Sequence, residues 1–74
     1  MVNNKKRDDF KRLANNRVEK ISNMIRLVGN LSNKNNYEYS KNDVDKIFTH
    51  LNKELRSAKN KFENELGKDS KFRI

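Results

Sequence analysis

The chain has 74 residues, no cysteine and no proline, and 18 lysines and arginines against 10 acidic residues, a formal charge of +8. Without cysteine there are no disulfides and no thiolate zinc site, and the lone His50 cannot build a metal site by itself. Below about 70–80 residues a single core rarely contributes more than about 3–5 kcal/mol, so self-association or a larger partner is the expected supplement to one small domain.

The N-terminal run M-V-N-N-K-K-R-D-D has no apolar stretch after its basic cluster, so it does not read as a secretory signal. Nothing in the chain approaches the ~20 apolar residues needed to span a bilayer. A cytoplasmic location without membrane contact is the expectation. Asn4 is a candidate helix cap, with Asp8 and Asp9 placed in the first turn, where the helix dipole favours negative charge. From Phe10 the apolar positions are Phe10, Leu13, Ala14, Val18, Ile21, Met24, Ile25 and Val28. That is i, i+3/i+4 spacing, which predicts one amphipathic helix over about 6–29. Gly29 or Asn30 is expected to end it, and Gly29 offers the left-handed conformation that commonly closes a helix.

The corner, about 30–40, is rich in Asn and Ser, whose side chains bond back to nearby backbone and favour turns. Ser40 followed by Asp43 fits a capping box, with Asp in place of the usual Glu or Gln. A second helix is predicted over about 41–66, with Val44, Ile47, Phe48, Leu51, Leu55, Ala58, Phe62 and Leu66 on one side. Phe48, Leu51, Leu55, Ala58 and Phe62 follow a heptad seam. Gly67 is a natural stop, followed by a short basic tail, 67–74. The expected fold is an all-α antiparallel two-helix hairpin, with Val28 near Val44, Ala14 near Ala58 and Phe10 near Phe62. Both stripes are wider than one neighbour covers, so a partner protein or a second copy is expected to complete it.

No catalytic constellation is present. There is no P-loop, no glycine-rich phosphate loop and no paired-carboxylate motif, so the chain is expected not to be an enzyme and to carry no cofactor. The charge points to polyanions, with nucleic acid first and an anionic membrane surface second. A plainer alternative is that lysine keeps a small helical protein soluble. The candidate nucleic-acid-binding residues are Lys5, Lys6, Arg7, Lys11 and Arg12 at the start of the first helix, with Arg56, Lys59, Lys61, Lys68, Lys71 and Arg73 at the other end of the chain. In the hairpin these two groups form its basic open end, fit for sequence-independent phosphate contact.

The candidate partner-binding residues are Arg17, Asn30, Asn33, Tyr37, Tyr39, Phe48, Leu55 and Phe62. Arg17 lies inside the apolar face of the first helix, as a charge offered to a partner or as a packed stem reaching a carboxylate such as Glu54. Asparagine amides could read base edges and tyrosines could stack on unpaired bases, but the same residues also suit plain turn building. Phe72 and Ile74 are either anchors or a frayed end. His50 reads as a surface histidine.

The runs F-K-R-L-A-N-N-R-V-E-K-I, I-R-L-V-G-N-L-S-N-K-N-N-Y-E-Y-S and D-V-D-K-I-F-x-x-L-x-x-E-L cover about Phe10 to Phe62. This stretch resembles small basic proteins encoded on bacterial mobile elements, namely plasmids, phages and staphylococcal cassette chromosomes. That group includes a small partner of a cassette-encoded DNA polymerase. G-N-L-S-N…Y-E-Y is the most distinctive part; the helical portions alone would be generic. The resemblance implies a non-enzymatic replication or priming accessory that binds a polymerase and template DNA. It matches at Arg17, Gly29, Asn30, Leu31, Ser32, Asn33, Tyr37 and Tyr39. Two other readings stand beside it: a pure protein-interaction module for an acidic partner, and an RNA-binding structural hairpin.

Overall fold

A computed structural model describes residues 4–67. The described residues are all-α and form two helices in order, α1 (Lys5–Asn30) and α2 (Lys41–Gly67). The chain divides into two compact units, Met1–Glu38 and Tyr39–Ile74, each built around one helix. The two-helix class and the helix positions expected from periodicity are those observed.

α1 starts as its cap residue dictates. Asn4 accepts a hydrogen bond from the Arg7 backbone N–H at 3.1 Å through its side chain. Its carbonyl takes the Asp8 N–H, also at 3.1 Å. The asparagine side chain thus satisfies one of the donors that a helix start leaves without partners, and its carbonyl accepts the first bond of the helical ladder. Lys5 and Asp9 form an i,i+4 ion pair at 2.8 Å that braces the first turns.

α1 ends at Asn30, one of the two expected ends, but without the left-handed conformation that Gly29 offers. No described glycine has a positive φ, and the helix runs through Gly29 to Asn30. Closure comes from two tight i→i+3 bonds, Leu31 N–H to the Val28 carbonyl (3.0 Å) and Ser32 N–H to the Gly29 carbonyl (3.1 Å). Glycine permits the left-handed conformation without requiring it. A last turn wound in 3₁₀ fashion satisfies the terminal carbonyls while every φ stays negative.

The corner, 31–40, pivots on Asn33. Its side-chain oxygen accepts the Asn35 N–H at 2.9 Å, and its carbonyl accepts those of Asn36 (3.1 Å) and Tyr37 (3.0 Å). This is the local side chain-to-backbone bonding that makes asparagine a turn residue.

α2 opens with the predicted capping box, in both directions. The Asp43 N–H donates to Ser40 Oγ at 3.1 Å, and the Ser40 N–H donates to Asp43 Oδ2 at 2.9 Å. The bond from the Ser40 backbone N–H, then that from its hydroxyl, holds the Asp43 carboxyl below its ordinary value of 3.8 against an opposing desolvation, with Lys46 adding the smallest pull. α2 continues to Gly67, the last described residue.

None of the described residues is buried. Leu13, Ala14, Val28, Val44 and Leu51 are half-covered, while Phe10, Phe48, Leu55 and Phe62 are exposed. Local terms (caps, i,i+4 pairs and helix propensity) therefore carry what stability each helix has alone, and isolated helices of this kind are marginal in water.

Candidate nucleic-acid interface

The cations at the start of α1 separate into two sets. Asp9 holds Lys5 at 2.8 Å and Arg12 at 3.4 Å, so these two share one carboxylate on one side of the helix. Lys6, Arg7 and Lys11 hold no ion pair among the described residues and are exposed. Lys6 and Arg7 project on the side of Phe10, and the Arg7 guanidinium stands 6.0 Å from that ring's centroid, at the outer limit of cation–π contact. The cluster that looks uniform along the sequence is thus partly neutralised on one flank and open on the other.

On α2, Arg56, Lys59 and Lys61 are exposed and hold no ion pair among the described residues. They do not share a face. At about 100° per residue, Arg56 and Lys61 lie well over 120° apart, and Lys59 sits beside the apolar seam. Lys68, Lys71 and Arg73 lie outside the described residues, as do Phe72 and Ile74.

A second polar surface on α2 is visible only in helical projection. Asn42, Lys46, Thr49, Lys53, Arg56 and Asn60 fall within a sector of about 80° at 3.6 residues per turn, opposite the apolar seam. No carboxylate lies in that sector. The nearest acids in the first turns are engaged elsewhere: Asp43 closes back on Ser40, and Asp45 pairs with Lys41 at 3.1 Å. A shallow open depression runs along this side, lined by Asn42, Asp45, Lys46, Thr49, His50 and Lys53. Lys46 and Lys53 were not among the residues singled out by linear charge clustering. Projecting the acids as well as the bases on the helix would have found them.

The apolar stripes carry the candidate partner contacts. Phe48 is 45% exposed, Leu55 58% and Phe62 57%. Arg17 is exposed within the α1 stripe. Asn30 is the last residue of α1 and exposed. Asn33 is occupied as the pivot of the corner, which favours its turn-building role. Tyr37 is 48% exposed and Tyr39 half-covered. His50 is exposed on the polar side of α2, and no group of three potential metal ligands occurs among the described residues. Also among the described residues, no helix is long and apolar enough to cross a membrane.

No protein-family model, curated protein or solved structure was found to match the chain.

Proposed function

We propose that this chain is a non-enzymatic accessory protein that binds nucleic acid through exposed lysines and arginines, and a larger protein through its apolar stripes. The observation that carries this reading is the availability of its cations. Among the candidate cations in the described residues only Lys5 and Arg12 are tied to a carboxylate, and Lys6, Arg7, Lys11, Arg56, Lys59 and Lys61 face solvent. On a short chain of formal charge +8 such groups attract phosphate, and binding releases the counterions condensed on it. The setting proposed is replication or priming of mobile-element DNA in the cytoplasm, which rests on the resemblance at G-N-L-S-N…Y-E-Y.

A second reading, a pure protein-interaction module, is favoured by the exposed Phe48, Leu55 and Phe62, which form one stripe on α2. The two readings separate in one titration. The full chain is added to fluorescently labelled oligonucleotides at low salt and anisotropy is followed. Saturable binding supports the nucleic-acid reading. An anisotropy that stays flat for single strands and duplexes alike would overturn it and leave the interaction module.

A further inference from the structure

We propose that the polar back of α2, from Asn42 to Asn60, is a duplex-DNA-binding face that sits in the major groove. The inference rests on the nucleic-acid reading above and names the surface and the nucleic acid that it takes. The six residues Asn42, Lys46, Thr49, Lys53, Arg56 and Asn60 recur at alternating spacings of four and three and are all exposed. They combine cations with amide and hydroxyl groups and exclude carboxylates. A face built only for solubility has no reason to exclude them, because glutamate is as good a helix former as lysine. Here Asp43 is folded back into the cap, and Asp45, which borders the strip and lines the depression beside it, is paired with Lys41 at 3.1 Å.

The residue types match the major groove. Lysine and arginine can pair with guanine or phosphate, threonine with base edges or the thymine methyl group, and asparagine amides can bond phosphate oxygens. The groove of B-form DNA is about 12 Å wide and admits an α-helix. The strip is about 27 Å long at 1.5 Å per residue, so its middle, Lys46 to Lys53, would face the bases. Its ends would reach the flanking phosphates.

Two alternatives fit less well. Single-strand binders stack bases on aromatic side chains, and both aromatic residues of α2, Phe48 and Phe62, project on the opposite, apolar side. Double-stranded RNA presents a major groove too deep and narrow for side chains to read.

The test uses the full chain and a triple variant, Lys46→Ala with Lys53→Ala and Arg56→Ala, whose alanines favour the helix. Circular dichroism checks that helicity is retained. Both proteins are titrated against a DNA duplex, an RNA duplex and a single DNA strand of equal length, with Lys6→Ala/Lys11→Ala as the comparison. We expect the wild type to prefer the DNA duplex, and the triple variant to lose about tenfold or more in duplex affinity with a shallower salt slope. Unchanged duplex affinity in the triple variant would overturn the inference, and loss only in the α1 variant would show that nucleic acid is bound elsewhere on the chain. Preference for the single strand or the RNA duplex would overturn it as well. Failure of the wild type to bind any of the three at low salt would remove the proposed function and this inference with it.

Discussion

Replacing Gly29 by alanine separates two descriptions of how α1 ends, because they predict opposite signs. In the structure Gly29 is helical, its φ is not positive, and a Cβ added there would meet nothing within 4 Å. Alanine in a helix interior is better than glycine by about 0.8–1 kcal/mol, through lost backbone freedom in the unfolded chain. Gly29 precedes the last helical residue, where the helix frays, so roughly half of that is the expected gain. Had Gly29 been a left-handed cap, alanine would instead cost about 1–2 kcal/mol. The assay is amide hydrogen exchange at Leu31 and Ser32, whose N–H groups close the end of α1 on the Val28 and Gly29 carbonyls. Slower exchange at both, with a small rise in helicity by circular dichroism, is the predicted outcome. Faster exchange at both in Gly29→Ala would refute the helical placement of this residue.

The other predictions concern the caps and the cations. Ser40→Ala should cost about 1 kcal/mol at the start of α2, seen as faster exchange of the Asp43 and Val44 amides while α1 is unaffected. Because the folded-state pKa of Asp43 is lowered, its contribution is present above its ordinary value of 3.8 and is lost as pH falls through its own, lower value. An NMR titration of the Ser40 amide should therefore show a midpoint below 3.8, and a midpoint at or above it would contradict the capping geometry. Neutralising Lys6 and Lys11 together should weaken oligonucleotide binding more than neutralising Lys5 and Arg12, because Asp9 already offsets part of the latter pair's charge. Equal losses measured by anisotropy would show that this exposed ion-pair network is immaterial to binding.

Much of the local structure was legible because its causes are local. Asn4, Ser40 and Asp43 cap helices through groups within three residues of themselves, and such bonds need no tertiary context. The apolar spacing likewise marks both helices directly. Gly29 does not take the left-handed conformation it permits, because two backbone bonds in the last turn close α1 at Asn30 without it. The cations of α1 look like one cluster in sequence order, but side-chain geometry divides them around Asp9. The polar strip of α2 is hidden in sequence order for the converse reason. Its residues are dispersed over 42–60 and come together only when the chain is wound at 3.6 residues per turn. The periodicity specifies the stripe that carries the exposed Phe48 and Phe62 and nothing of an occupant.

The most direct test of nucleic-acid binding is the salt dependence of oligonucleotide affinity, followed by fluorescence anisotropy over a series of salt concentrations. If exposed lysines and arginines contact phosphate, the logarithm of the binding constant falls linearly with the logarithm of salt, by about 0.9 per phosphate neutralised on duplex DNA. A slope of magnitude about 2.7 is the predicted result for a face that neutralises one phosphate with each of Lys46, Lys53 and Arg56. An affinity that does not respond to salt, or no binding at the lowest salt, would contradict it.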